Sequence, residues 1–461
     1  MPAASAKHAP IQGRRHGPAG LPARRLAWEA VAEVLRGRGA LDDTLDDLAA
    51  RAGLDPRDEA LARAIAAVAF RRFGTIRTAL AERLAKGLPS DDRALSLLAI
   101  GAAQVLVLDV PDHAAVDLTV RLAQGDRRVR HLPGVANAVL RRIARERDGI
   151  LAEADPLRVD TPGWLAERWT AAYGEEDARR IAAAHRNAAS VDLTVKAGPE
   201  GWAARLNGFV LPTGSVRLLD RTPIRELPGY KEGAWWVQDA AASLPARLLG
   251  AQAGERVADL CAAPGGKAAQ LALTGAQVLA VDRSPRRLKR LADNMARLRL
   301  PVEAREADVL DLGEEPFDAV LLDAPCTATG TIRRHPDVAW TKRASDLDAL
   351  GELQRRLLDK AATLTRPGGR LVYCTCSLEP EEGERQVEAF LARNGDFARS
   401  AVRPEEVGGL PEAVTPAGDL RTLPSHLSDA PEGRTGLDGF FAARLLRRAT
   451  GRRDAPPFTS R

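Results

Sequence analysis

The stretch that decides the fold class is Val257-Ala-Asp-Leu-Cys-Ala-Ala-Pro-Gly-Gly-Lys267. Its first four residues are typical of a short buried strand, and its two adjacent glycines favour a tight turn, because glycine adopts backbone angles that other residues avoid. A helix is predicted over residues 267–273 and a second apolar strand over 277–281, which runs into Asp282. Strand, glycine turn, helix, strand and acid, in this order, are typical of the nucleotide-binding half of a doubly wound α/β domain.

The glycine turn predicts a site for a nucleoside ligand. A ligand can lie against the backbone of Gly265 and Gly266 at the N-terminus of the helix, and Asp282 stands where such domains bind a ribose hydroxyl. The dinucleotide spacing G-x-G-x-x-G is absent, which weakens an NAD interpretation. The glycines alone leave open a plain βαβ unit in which they only tighten a turn.

The rest of the chain from 236 to 448 continues the α/β pattern, so we predict a mostly parallel sheet of Rossmann-like type over these residues. Helices are predicted over 285–298 and 347–364, and strands over 302–307, 317–322, 370–373, 397–402 and 440–445. Ligands bind at the carboxyl ends of parallel strands. The residues predicted at those ends, and therefore in one crevice, are Gly265, Asp282, Asp308, Asp323, Cys326 and Cys376.

Two further folded regions and a tail precede this domain. Residues 24–148 show apolar stripes at helical spacing and predict an all-α bundle, whose last helix carries arginines suited to phosphate contacts, such as Arg141 and Arg142. Residues 155–235 alternate short strands and helices and predict a small α+β module. Residues 1–23, with Arg14, Arg15 and His16, predict a disordered basic tail, and 449–461 a flexible one.

Composition restricts the partners. A net charge of +5 and a pI near 9.2 are mild indications of a polyanionic partner, and together with the arginines they favour RNA. No apolar run approaches the roughly 20 residues needed to span a membrane, and no signal-peptide pattern is present, so a cytoplasmic protein is expected. The four cysteines form no C-x-x-C pair, so no metal site is expected. We also expect a monomer.

The cysteines at the strand ends suggest covalent catalysis, because a thiolate is a strong nucleophile near neutral pH. Cys374 lies at the end of a buried strand and is interpreted as a core residue. Cys326 follows a proline in a Gly- and Thr-rich loop, and Cys376 lies between Thr375 and Ser377, so both are predicted to be reactive.

Five motifs resemble those of a known family. Asp259–Lys267, Asp323–Gly330, Arg334–Trp340 and Thr375–Glu382 are similar to the motifs of RNA cytosine-C5 methyltransferases. The helical region, with Asn137-Ala-Val-Leu-Arg-Arg142, resembles the NusB-type domain of the ribosomal branch, the RsmB (Fmu/Sun) enzymes that act on 16S rRNA. The resemblance covers nearly the whole chain after residue 24.

The resemblance implies S-adenosylmethionine as the methyl donor and RNA as the substrate. It assigns Cys376 as the nucleophile that adds to C6 of cytosine, Cys326 as the residue that assists release, and Asp323 as the group that stabilises N3 of the base as a protonated donor. Lys267 is also implied to be catalytic. The implied donor-binding residues are Cys261, Ala262, Ala263, Pro264, Gly265, Gly266, Lys267, Asp282, Asp308 and Asp323.

The catalytic residues leave two alternatives open. The same chemistry could act on tRNA, because only the accessory domains favour rRNA, and a non-catalytic RNA-binding protein is a second alternative from a different class.

The chain also departs from its relatives at two places. Thr194-Val-Lys196 stands where relatives carry Arg-Val-Asn, and Gly383 stands where many have Asn. The first departure puts in doubt the RNA contacts of residues 155–235.

Overall fold

The computed structural model describes residues 18–220, 222–428, 430–431 and 434–449. The basic cluster predicted at Arg14, Arg15 and His16 therefore lies outside the described residues, as does most of the predicted C-terminal tail. The chain divides into two compact units, of which the first ends at Ala154 and the second begins at Asp155. Residues 155–235, predicted as a separate module, belong to the second unit.

The first unit is helical. Its helices are α1 (Leu21–Leu35), α2 (Leu41–Ala52), α3 (Pro56–Arg71), α4 (Phe73–Ala81), α5 (Asp92–Leu106), α6 (Asp112–Gln124), α7 (Pro133–Arg145) and α8 (Arg147–Glu153). Helix α5 is buried along most of its length, because its side chains are apolar on all faces. Helix α7 buries Val139 and Ile143 on one face and exposes Arg141, Arg142 and Arg145 on the other. The first unit thus presents a basic helical face.

The second unit begins with a long helix and a small sheet. Its helices are α9 (Gly163–His185), α10 (Pro199–Arg205), α11 (Leu244–Leu249), α12 (Gly266–Leu273), α13 (Pro285–Leu298), α14 (Val338–Thr341), α15 (Asp346–Leu364) and α16 (Glu384–Arg393). Helix α9 joins two segments that the sequence predicts as separate helices. Gly174 interrupts it with φ 82° and ψ 162°, a conformation that only glycine adopts at low cost.

The strands form two sheets. They are β1 (Asp192–Val195), β2 (Gly208–Val210), β3 (Val216–Leu218), β4 (Trp235–Val237), β5 (Arg256–Leu260), β6 (Gln277–Asp282), β7 (Val302–Glu306), β8 (Phe317–Asp323), β9 (Thr365–Thr375), β10 (Phe397–Arg399), β11 (Leu420–Thr422) and β12 (Phe440–Arg447). The small sheet is antiparallel, in the order β2-β3-β1-β4.

The large sheet has the order β10-β12-β9-β8-β5-β6-β7, with β11 beside β12. Strands β5 to β9 are mutually parallel, and β12 is antiparallel to β9. Apolar clusters cover both faces of the sheet, which explains why the sequences of the central strands are continuous hydrophobic runs. The strand order reverses direction between β5 and β8, so the crevice lies at the carboxyl ends of these strands.

Four elements of this domain were not expected from the sequence, namely α11, α14, α16 and β11. Strand β9 also begins five residues before the predicted start at 370. Within the described residues, no helix combines the length and the apolar character that crossing a lipid bilayer requires.

Candidate active site

The glycine turn lies between β5 and α12, where the sequence predicts it. Gly265 has φ 98°, and a Cβ atom there would meet Leu291 Cγ at 2.8 Å, so both conformation and packing require glycine. Cys261 also has a positive φ of 60°, which costs an L-residue roughly 1–2 kcal/mol. The first N–H groups of α12 follow this turn directly, and they have no acceptor within the helix.

Three predicted acids follow the strand ends in different environments. Asp282 is buried and accepts hydrogen bonds from the backbone N–H groups of Ala263 (3.2 Å) and Ser284 (2.9 Å). Asp308 is exposed. Asp323 is half-buried and forms an ion pair with Lys267 Nζ at 2.8 Å. The structure therefore ties Asp282 to the glycine turn and Asp323 to the helix that follows it.

A fourth acid, Asp259 on β5, was not expected to be functional. It is fully buried, and neither of its carboxylate oxygens has a hydrogen-bond partner. Burial raises the pKa of Asp259 to about 8, although the charge of nearby Lys267 opposes the shift. The signal in the sequence is a charged residue inside an otherwise apolar strand, since a buried unpaired carboxylate is costly.

The environment of Asp259 leads to a testable pH dependence. Its pKa is higher in the folded than in the unfolded chain, so stability present at low pH is lost as pH rises towards about 8. Asp259→Asn removes this loss. We expect the ligand-free variant to gain stability relative to the unsubstituted chain between pH 5 and pH 8, by up to about 1.4 kcal/mol per pH unit. Thermal unfolding of both proteins at several pH values measures this difference in stability. If the stabilities of the two proteins change with pH in the same way, the environment assigned to Asp259 is wrong.

Lys267 forms the floor of the site together with an aromatic ring. Its Nζ atom lies 4.9 Å from the ring centroid of Phe440, a residue of β12 that was predicted only as part of a strand. Burial lowers the pKa of Lys267, but the Asp323 carboxylate more than offsets this effect, and the net pKa is raised. Lys267 is therefore a charged donor held beside Asp323.

The two cysteines predicted to be reactive are neighbours. Cys326 Sγ lies 3.5 Å from Cys376 Sγ. The hydrogen bond to Cys376, and then burial, raise the pKa of Cys326, so Cys326 is held as a thiol. Burial raises the pKa of Cys374 as well, and that of Cys261 to about 12. Cys376 is therefore the thiol placed best to react.

A cavity of about 490 Å³ opens above these groups. The predicted site residues that line it are Ala262, Pro264, Gly265, Gly266, Lys267, Asp323 and Cys376. Cys261, Ala263, Asp282, Asp308 and Cys326 are not among its lining residues. Trp236 and Val237 of β4 also line the cavity, so the small sheet helps to enclose the site. In the part of the chain that the structure describes, no group of three or more His, Cys, Asp or Glu side chains could hold a metal ion.

Comparisons with known proteins match both units. A model of the NusB family matches residues 21–145, and a model described as 16S rRNA methyltransferase RsmB/F matches residues 246–446. Ribosomal RNA small subunit methyltransferase B of Vibrio cholerae is 38% identical over 443 residues, which cover 92% of this chain and 96% of that protein. The chain belongs to the RsmB/F family of 16S rRNA methyltransferases.

Other members and a solved structure agree with this assignment. The Klebsiella pneumoniae protein of the same name is 35% identical over 444 residues, covering 92% of this chain and 98% of that protein. A methyltransferase homologue from Pyrococcus horikoshii with a solved structure is 28% identical, with a TM-score of 0.52, and covers 65% of this chain and 98% of that chain. The predicted family and fold class are confirmed.

The structure shows what the residues do at the two places where this RsmB/F chain departs from the sequence pattern of its relatives. Thr194 Oγ1 donates to Gln238 Oε1 at 2.9 Å, and Lys196 Nζ donates to the carbonyl oxygen of Leu298, so both residues fasten the small sheet to the methyltransferase domain. A Cβ atom at Gly383 would lie 2.6 Å from Arg421 Nη2. The space that a side chain at 383 would need is thus filled by Arg421.

Proposed function

We propose that this RsmB/F protein transfers a methyl group from S-adenosylmethionine to C5 of a cytidine in 16S rRNA, through a covalent bond between Cys376 and C6 of the base. The observation that carries the proposal is the pair of sulfur atoms 3.5 Å apart, with Cys376 facing a cavity floored by Lys267 and Asp323. A methyltransferase acting on an oxygen or an exocyclic nitrogen needs no such pair.

The chemistry explains why a thiolate is needed. C5 of an aromatic cytosine is a weak nucleophile. When the Cys376 thiolate adds to C6, the C5–C6 double bond breaks, and electron density moves to C5 and into the ring towards N3. The charge that develops at N3 is stabilised by a hydrogen bond from Asp323, which takes up a proton from solvent when the base binds, and the ammonium group of Lys267, 2.8 Å from Asp323, adds a positive charge nearby.

The residues around the glycine turn fit the proposed donor. The first turn of α12 suits its carboxylate, the Asp282 side chain suits a ribose diol, and Asp308 stands at the next strand end. The buried, unpartnered carboxylate of Asp259 suits an ammonium group. When bound, S-adenosylmethionine supplies an electrophilic methyl group that C5 can accept.

Release requires the reverse of the addition. After methylation the C5 proton is lost to water, the electron pair it leaves restores the C5–C6 double bond, and the bond from C6 to Cys376 breaks. The S–H group of Cys326 can donate a hydrogen bond to the departing Cys376 sulfur at 3.5 Å. The base must leave any helical stack to reach these sulfurs, so it comes from a loop or is flipped out.

Transfer of labelled methyl groups to protein-free 16S rRNA and, in parallel, to unmodified tRNA tests the substrate. We expect label in 5-methylcytidine from 16S rRNA only, after digestion to nucleosides. Label on tRNA alone would overturn the rRNA assignment and keep the chemistry. Label in a different nucleoside would overturn the chemistry itself. No transfer to either RNA together with no binding of S-adenosylmethionine would favour the non-catalytic alternative, whereas binding without transfer would point to an assembled ribosomal particle as the substrate.

A further inference from the structure

A buried carboxylate lies behind the loop that carries Cys326. Glu382 is fully buried and accepts hydrogen bonds from the backbone N–H of Thr327 (2.9 Å) and from the Thr327 hydroxyl. It also accepts one from Gln354 Nε2 at 2.9 Å. The same Nε2 atom donates to the carbonyl oxygen of Pro325 at 2.9 Å. Both chain neighbours of Cys326 are therefore tied to Glu382, one directly and one through Gln354.

The backbone of Glu382 is fixed in turn to the strand that leads to Cys376. Its carbonyl oxygen accepts hydrogen bonds from the Tyr373 hydroxyl at 2.7 Å and from Thr375 Oγ1 at 3.3 Å, and both donors are on β9. A single residue thus connects the loop of one cysteine to the strand of the other.

Ser377 adds a second connection between the same two loops. Its hydroxyl lies 3.2 Å from Thr327 Oγ1 and 3.3 Å from Thr329 Oγ1. Thr329 Oγ1 also accepts from the backbone N–H of Leu378 at 3.0 Å. All of these side chains are buried, so an unmade hydrogen bond in the network costs roughly 1–3 kcal/mol. The network has little freedom to rearrange.

Among the residues that the structure describes, Glu382 takes part in no salt bridge, and its hydrogen-bond partners are neutral donors. A buried carboxylate that accepts hydrogen bonds only from neutral donors has an uncompensated negative charge, and the electric field of this charge acts on the nearby Cys326. Hydrogen bonding to Cys376 and burial are the main causes that raise the pKa of Cys326, and the Glu382 charge adds to them.

We propose that Glu382 is a positioning residue for product release. It holds the Cys326 loop against the strand of Cys376, so that the Cys326 S–H group stays within hydrogen-bond distance of the Cys376 sulfur during release. The inference rests on the proposed function. It assigns Glu382 to the second half of the reaction, so its loss should slow release more than it slows methylation.

The test uses Glu382→Gln, with Glu381→Gln as the matched control. Glu381 is the preceding residue, half-exposed and paired with Arg168 and Arg385, and among the described residues it forms no hydrogen bond or ion pair with either cysteine loop. With 16S rRNA and S-adenosylmethionine, we expect E382Q to lower turnover about tenfold or more and to accumulate a covalent, methylated RNA complex on a denaturing gel. E381Q should turn over at the unsubstituted rate without a complex.

Two outcomes would overturn the proposal: unchanged turnover of E382Q, or reduced turnover of a folded E382Q without any complex. If E382Q does not fold, Thr327→Val replaces it in the test, because this substitution removes one hydrogen bond to Glu382 at nearly constant volume. Accumulation of the covalent RNA complex with T327V supports the proposal. Normal release by T327V overturns it. Cys326→Ala runs in parallel. A complex with C326A but not with E382Q contradicts only this inference, whereas no complex and no 5-methylcytidine anywhere contradicts the proposed function.

Discussion

Cys376→Ala is expected to abolish methyl transfer to RNA, with a loss of at least about a thousandfold, because the variant lacks the atom that adds to C6. Without addition C5 remains part of an aromatic ring and is too weak a nucleophile. The other three cysteines do not substitute for it. Cys261 and Cys374 are held as thiols by burial, and Cys326 does not line the cavity. Transfer of labelled methyl groups to 16S rRNA measures the effect.

Cys376→Ser is the matched control for this prediction. It nearly preserves the volume and the hydrogen-bonding capacity, but a hydroxyl ionises far less readily than a thiol, so the loss should be about as large. Binding of S-adenosylmethionine should be nearly unchanged in both variants, since its proposed contacts lie on the glycine turn and on the acids. Substantial methylation by either variant would remove the nucleophile role.

Cys326→Ala is expected to have the opposite signature, namely reaction without release. The variant still contains the Cys376 thiol and the Lys267–Asp323 pair, so addition and methylation can proceed. It lacks the S–H group 3.5 Å from the departing sulfur, so the bond between C6 and Cys376 persists. We expect a protein–RNA complex that survives a denaturing gel and contains the methylated base.

The double variant Cys326→Ala, Cys376→Ala provides the control, because it should form no complex at all. The account would be wrong about release if the C326A protein methylated 16S rRNA at the ordinary rate and left no complex. It would be wrong about the nucleophile if the double variant still formed one.

The fold was largely predictable because its decisive features are local. The glycine turn at Gly265, the acid at the end of β6 and the apolar runs of the parallel strands all leave signals within a few residues of sequence. The carboxyl ends of parallel strands meet at one edge, so Asp323 and Cys376 could be placed in one crevice without coordinates. The NusB-type helices followed from apolar periodicity in the same way.

Long-range polar contacts were not predictable. Glu382 meets Thr327 across 55 positions, and the acidic pair at 381 and 382 reads equally well as a solvated surface turn. Lys196 looked like a lost RNA contact and is instead fastened to the end of α13. Asp259 was overlooked although a charge inside a buried strand is a local signal. The contacts of Glu382 and Lys196, by contrast, depend on which loops the fold brings together, and no local sequence pattern encodes this.

The measurement that tests the central claim most directly maps the covalent bond itself. The unsubstituted protein is incubated with S-adenosylmethionine and 16S rRNA transcribed with 5-fluorocytidine, in which no C5 proton can be lost, so the adduct persists. After nuclease and trypsin digestion, mass spectrometry finds the modified peptide. The account predicts the peptide of residues 371–385, with fragmentation placing the nucleotide on Cys376 rather than on Cys374. A nucleotide on Cys326, or no modified peptide although 5-methylcytidine forms on ordinary RNA, would contradict it.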